Sequence, residues 1–484
     1  MKPLYLFICF IISFSAAALN QEHKEQMLQD FFSNPNTFYH QGVEKEKPLR
    51  RGHFSIEKML LKHHFSTKSR PSYNDQVEDL LPRAIIEKNL LKIDQLGLTQ
   101  GEVERKPWSD DYWPIYRGIL GARYSDDDFY YLEGWKESFD YIKANPAKDI
   151  FKQETSHHLL SPSEKYDLLL GKKNFSLTKN MWEQGSRYYY SSPDGIVAAW
   201  MGICHGWAAA SYMVKRPLHA IKVLSFDQKT EILFYPSDIK ALASLLWAST
   251  SYPSHFISSR CRQTEPAENR EGRTIQKECL DTNAATFHLS LVNGIGLMKK
   301  SFVMDSSYDY EVWNQPIVSY KYEYFNPRTK KVSMNLEDSL ILSQNFESDP
   351  FSQYRAFETR YIVGVSVEVS YTVETSPTQN LYDSELMDEM NTVHYLYDLE
   401  LDQEKNIIGG EWYHKMHPDF LWTPAYNTRA KTQMDYYLLS RDKWDGKKAL
   451  PTDIKKMAQK MAKQGKPLAY IIESLIEISQ KEMN

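Results

Sequence analysis

The spacing of apolar and polar positions divides the chain into a helical beginning, a mixed middle, a strand-rich second half and a helical end. In "DQVEDLLPRAIIEKNLLKIDQLGL" (75–98) apolar residues recur at helical intervals, and Pro82 interrupts the run. Helices are also predicted over 126–145 and over the small-residue run 202–214. "IKVLSF" and "EILFYP" predict strands, followed by the helix "SDIKALASLLWAST" with Ser237 as its cap. "ATFHLSLVNG" and "SFVMDSS" alternate with period two. "PIVSYKYEYF", "RYIVGVSVEVSYTVE", "TVHYLYDLELD" and "NIIGGEWY" predict further strands, the last two a hairpin. "PTDIKKMAQKMAKQGKPLAYIIESLIEIS" predicts two helices split at Gly465-Lys466-Pro467. Helices first and strands later predict an α+β class.

Composition changes this picture in three ways. The 484 residues suit two or three domains, or one large domain with attachments. A net charge of −5 without a Lys/Arg cluster argues against a nucleic-acid partner. The N-terminus reads as an export signal over 1–18: Lys2, an apolar run from Leu4 to Phe14, then Ala16-Ala17-Ala18. That run is too short for a membrane span, and no other stretch is long and apolar enough. The expected mature start is near Leu19, and the expected location is secreted or periplasmic. Residues 19–105 read as a helical segment, either a small domain or a removable pro-segment, and 441–484 as a C-terminal helical segment.

Export favours disulfides. Setting aside Cys9 inside the signal leaves Cys204, Cys261 and Cys279. Cys261 and Cys279 flank one polar segment, and pairing them leaves Cys204 as a free thiol. Pairing Cys204 with either of the others would remove it as a nucleophile. A catalytic thiol needs a base, a group that orients the base, and oxyanion donors. "GICHGWAAAS" places Cys204 at the start of a helix, where the dipole lowers a thiol pKa. Its small residues suit close packing on a sheet.

His288 lies in the first alternating run and Asp305 in the second, with a turn signal at Asn293-Gly294. If Val292 pairs with Ser301, His288 stands directly opposite Asp305, Cβ atoms about 4.5–5.5 Å apart. That spacing suits a carboxylate orienting an imidazole. A one-residue slip would separate them onto opposite faces. Read blandly, His288 is a satisfied core histidine and Asp305 a strand-end turn former. Asp309 competes with Asp305. His205 follows Cys204, but adjacent helical side chains diverge by about 100°, which turns it away from the thiol.

At these residues the sequence resembles the transglutaminase elicitor family. The blocks are "WMGICHGWAAAS" and "FHLSLVNGIGLMKKSFVMDSSYDYEVWNQP", with "YWPIYRGILGARY" and "GGEWYHKMHPDFLW". The resemblance implies a papain-like/transglutaminase-like core over 106–440, with a nucleophile helix on an antiparallel sheet. It implies a triad of Cys204, His288 and Asp305. The implied activity is transfer of a glutamine acyl group to an amine through a thioester. Water as acceptor would give deamidation, and a main-chain donor proteolysis. The Cys204 N–H and Gln184 are candidate oxyanion donors, and Trp313 and Asn314 in "VWNQP" would shape the core or acceptor cleft. The expected partners are a protein or peptide glutamine donor and a primary amine. Outside enzymes, the alternative is a secreted recognition or surface protein with a vestigial triad.

Other signals carry less. "HKMHPD" offers His414, His417 and Asp419 for a metal, but reads as an ordered loop. The chain has no H-E-x-x-H, C-x-x-C or P-loop. No cofactor is expected for the chemistry; calcium at Asp126 to Asp128 has no supporting pattern. Asn174 is a glycan acceptor only in a eukaryotic secretory pathway.

Overall fold

The computed structural model describes residues 21–33, 70–171, 174–261, 263, 266–267, 274, 276, 279–306, 311–413 and 417–481. The expected export signal lies outside them. The strands are β1 (Gln100–Glu102), β2 (Ile221–Leu224), β3 (Glu231–Phe234), β4 (Ser254–Ser258), β5 (Val303–Asp305), β6 (Asn314–Phe325), β7 (Val332–Ser333), β8 (Ile341–Leu342), β9 (Tyr361–Thr372), β10 (Met390–Leu401), β11 (Ile407–Trp412) and β12 (Phe420–Pro424). Ten of them form one antiparallel sheet in the order β11-β10-β9-β6-β5-β12-β4, with β1 and β7 also on β6 and β8 on β9. β2 and β3 form a separate hairpin. The expected β10–β11 hairpin is present. Helices and an antiparallel sheet together match the α+β class; the papain-like detail remains an expectation.

Alternation along β5 and β12 divides the interior in two. Val303, Phe420 and Trp422 face a helical core that holds Cys204 and Trp207. Met304 and Leu421 face a second core, built from the long strands and from Phe287 and Leu289. Asp305 shares the face of Val303 by the period of two, and so lies on the Cys204 side.

The Cys204–Met213 helix has a different neighbour from the one its small residues suggested. It runs mainly against the Pro236–Ser249 helix, and only its start meets β6. A Cβ on Gly206 would sit 2.3 Å from the Ser244 carbonyl oxygen and 2.5 Å from the Ala248 Cβ. Gly206 therefore sets the helix–helix distance. Ser237 is not the cap of the second helix: Tyr235 holds that place, with its N–H donating to Asp238 at 2.8 Å, and Pro236 follows as the first helical residue.

The expected hairpin around Asn293-Gly294 is absent. Ala284–Ser290 is a helix, and Leu291–Leu297 continues it as a π-helix. Asn283 caps the start by accepting from the Ala285 N–H at 2.9 Å. The Asn293 side chain donates to the Leu289 carbonyl at 2.9 Å and accepts from the Glu87 N–H at 2.8 Å, so it pins a helix and not a turn. Every residue from Ala284 to Gly296 is buried. A helix enclosed on all sides has no polar face, and its sequence does not display the 3.6-residue period. Gly296 permits close approach: a Cβ there would meet the Tyr320 hydroxyl at 2.6 Å.

The flanking segments share these cores. Val77, Leu80, Leu90, Ile93 and Leu98 pack with the sheet core, and β1 pairs with β6. The Gln21–Ser33 helix seats Phe31 on Tyr413, with centroids 4.4 Å apart. The Thr452–Ala462 and Ala469–Ser479 helices complete the helical core. Cys261 is bonded to Cys279, and Cys204 is a free thiol.

Candidate active site

The site forms where the Cys204–Met213 helix starts against the beginning of β6. The Ile203 N–H donates to the Tyr112 carbonyl at 2.8 Å and fixes the entry to the helix. The buried thiol accepts from Asn314 Nδ2 at 3.3 Å and lies 3.7 Å from the Val312 carbonyl, to which its S–H donates. Asn314 Oδ1 accepts from Trp422 Nε1 at 2.7 Å. Because indole only donates, that bond determines which end of the amide faces the sulfur.

Asp305 stands directly across the β5–β6 ladder from Asn314. Its Oδ1 accepts from the Trp313 N–H at 3.0 Å, which holds the 311–313 turn beside the thiol. The Trp313 ring packs on Tyr112 at 5.7 Å, and its Nε1 donates to Glu311 at 3.0 Å.

Several carboxylates surround this point. Glu374, two residues past β9, accepts from Gln315 Nε2 at 2.9 Å. Burial pushes the Cys204 thiol up to about 11; Asn314 opposes this, while Glu374 and then Asp305 add to it. Burial likewise pushes Glu374 up to about 7, with Asp111 adding to it, and Asp111 itself up to about 6. The resting sulfur is therefore a neutral thiol. A helix start and an amide donor on one sulfur suit a nucleophile whose attack on a carbonyl puts charge on oxygen in the tetrahedral intermediate.

The structure does not bring His288 to this place. Its Nδ1 meets the Tyr397 hydroxyl at 2.9 Å and its ring lies 4.9 Å from Tyr322, in the sheet core. Tyr322 is eight residues along β6 from Asn314, about 26 Å at the usual strand rise. His288 is fully buried, and burial drives its pKa down to about 3. The opposition of His288 and Asp305 depended on a hairpin, and the Ala284–Ser290 helix replaces it. Among the described residues, no histidine hydrogen-bonds the Cys204 thiol. His205 meets the Ala248 backbone instead.

Gln184, half-buried on the Ser176–Ser191 helix, is not among the groups around the thiol. Asp309 and His414 lie outside the described residues. His417 stacks on Trp412 at 4.8 Å and pairs with Asp281 at 3.7 Å. The sequence reading missed Val312 at the sulfur and Glu374 in its field, with Gln315 and Asp111 acting on Glu374.

A family model described as Transglutaminase elicitor matches residues 83–441. The chain belongs to the transglutaminase elicitor family. The matched span contains the thiol, Asp305, Asn314, Glu374 and Trp422. No curated protein matches the chain. Among solved structures it is similar to the GP42 transglutaminase from Phytophthora sojae, at 20% identity and a TM-score of 0.49, over 78% of this chain and 94% of that one. In this elicitor-family member the "FHLSLVNGIGLMKKSFVMDSSYDYEVWNQP" block does not form the expected hairpin. The cysteine block and the "VWNQP" block meet at the thiol, while the "FHLSLVN" block forms the buried helix behind the sheet.

Proposed function

We propose that the protein is an exported acyltransferase that uses Cys204 to transfer protein glutamine side chains to primary amines. The observation that carries this reading is the Asn314 amide on the Cys204 sulfur at a helix start, in a chain of the transglutaminase elicitor family. Cys204 Sγ attacks the glutamine carboxamide carbon. The C–S bond forms, the C–N bond breaks, and the thiol proton leaves with the nitrogen as ammonia. An amine then attacks the thioester carbon and returns the thiol. Asn314 orients the sulfur, and Asp305 holds the Trp313 turn against it. The Cys261–Cys279 bond supports an oxidising compartment. His288 has no part in this mechanism.

The test is Cys204-dependent incorporation of a fluorescent alkylamine into casein, with ammonia release and chain cleavage followed in the same samples. Incorporation that is lost in Cys204→Ala supports transfer. Ammonia without incorporation would make the protein a deamidase, and cleavage alone a protease.

One observation favours a second reading, a recognition protein with an inert thiol: burial and two carboxylates hold the resting sulfur protonated. Iodoacetamide separates the two. An enzyme thiol is alkylated in a way that depends on Asn314, whereas an inert one reacts only on unfolding.

A further inference from the structure

We infer that Glu374, steered by Gln315, is the catalytic carboxylate that carries the proton between Cys204 and the substrate nitrogen. This rests on the acyl-transfer reading above. Without a histidine on the thiol, another group must take the proton in each half of the reaction. Gln315 follows Asn314 along β6 and holds Glu374, so the carboxylate is tied to the residue next to the one that holds the sulfur. The Gln315 amide spends its N–H₂ on Glu374 Oε2 at 2.9 Å. Two acceptors then remain: Gln315 Oε1 and Glu374 Oε1 are buried and have no hydrogen-bond partner among the described residues.

A buried acceptor without a donor costs about 1–3 kcal/mol, and a charged one more. A pair of such oxygens, on a carboxylate whose charge the thiol feels, therefore calls for a ligand with several N–H donors. A primary amine, or the ammonia that precedes it, fits that requirement.

The proton balance closes over both half-reactions. In acylation Glu374 takes the proton from the Cys204 S–H as the C–S bond forms, and gives it to the departing nitrogen, so ammonia leaves. In deacylation Glu374 takes a proton from the attacking amine nitrogen as the C–N bond forms. It returns that proton to sulfur as the C–S bond breaks. The carboxylate ends each half ionised, and no other reagent is consumed. A base working near neutrality needs a pKa near 7, and burial brings Glu374 there. The groups that share its field are Asp111 and Tyr112 from the 110–113 turn, Cys204 from its helix and Tyr371 from β9, with Arg117 acting on Asp111.

The experiment compares wild type with Glu374→Gln in casein labelling, using cadaverine and hydroxylamine as separate acceptors. Cadaverine needs a base to become a nucleophile; hydroxylamine arrives neutral and needs one far less. The expected result is a loss of about 100-fold or more with cadaverine, and a loss with hydroxylamine no larger than this, because Glu374 serves acylation with both acceptors and deacylation mainly with cadaverine. A wild-type rate in the variant with cadaverine, or a larger loss with hydroxylamine than with cadaverine, would overturn the assignment. A second measurement needs no variant: the wild-type rate of ammonia release should rise as pH passes through about 7 and Glu374 ionises. A flat profile there would also overturn it. If wild type itself incorporates neither amine, the acyl-transfer reading has failed, and the assignment falls with it.

Discussion

At the scale of single residues, Asn314 and His288 exchange the importance their sequence surroundings suggested. Asn314 donates to the sulfur and is itself held by Trp422, so Asn314→Ala removes the side-chain hydrogen bond that favours a thiolate and leaves the weaker backbone one. A hydrogen bond worth about 1 kcal/mol predicts alkylation of Cys204 slowed about fivefold; an unchanged rate would remove Asn314 from the site. His288→Gln should leave the alkylation rate at the wild-type value, because His288 stands in the sheet core with Tyr397. Its effect belongs to stability. The folded His288 titrates near 3 against an ordinary 6.5, so as pH falls below 6.5 the unfolded chain takes up its proton first. His288 is harmless above that pH and weakens the fold progressively between about 6.5 and 3. Denaturant unfolding should show the stability of wild type relative to His288→Gln declining from pH 7.5 to pH 4.5. A constant difference would contradict the burial of His288.

At the scale of elements, the same contrast explains what was legible. Cys204 could be read because Gly202 and a run of small residues mark the start of its helix in the sequence. Asp305 and Asn314 could be read as chemistry, but their pairing across β5 and β6 required the real register, which no turn residue announced. The Ala284–Ser290 helix was misread because total burial hides helical period, and "FHLSLV" then alternates by chance. Glu374 went unread because a strand-end carboxylate usually meets solvent. Tyr112 and Trp422 lay in quoted blocks, yet their roles as backbone anchor and amide clamp are three-dimensional. The helix pair gives its own test. Gly206→Ala would place a Cβ 2.3 Å from the Ser244 carbonyl, and forcing the helices apart should cost about 1–3 kcal/mol in thermal unfolding. A wild-type melting temperature would mean the two helices do not meet there.

At the scale of the molecule, the segments outside the expected catalytic span are built into its cores. β1 pairs with β6, and Val77, Leu80, Leu90 and Ile93 pack with the sheet core. Removing residues up to 105 should therefore yield an aggregating or unfolded product; a folded, more active product would restore the pro-segment reading. The disulfide closes a separation of 18 residues, so breaking it with Cys279→Ser should cost about 3 kcal/mol. Unreduced protein starting at residue 19 should then present a single free thiol, Cys204, once unfolded in the presence of a thiol reagent. Three thiols would contradict the bond.

The central claim is that Cys204 performs acyl transfer. The most direct measurement is fluorescent-amine incorporation into casein by protein starting at residue 19, beside Cys204→Ala and His288→Gln. The account predicts incorporation by wild type and by His288→Gln, and none by Cys204→Ala. Incorporation that survives Cys204→Ala would place the chemistry elsewhere, and its loss in a folded His288→Gln would contradict the site described.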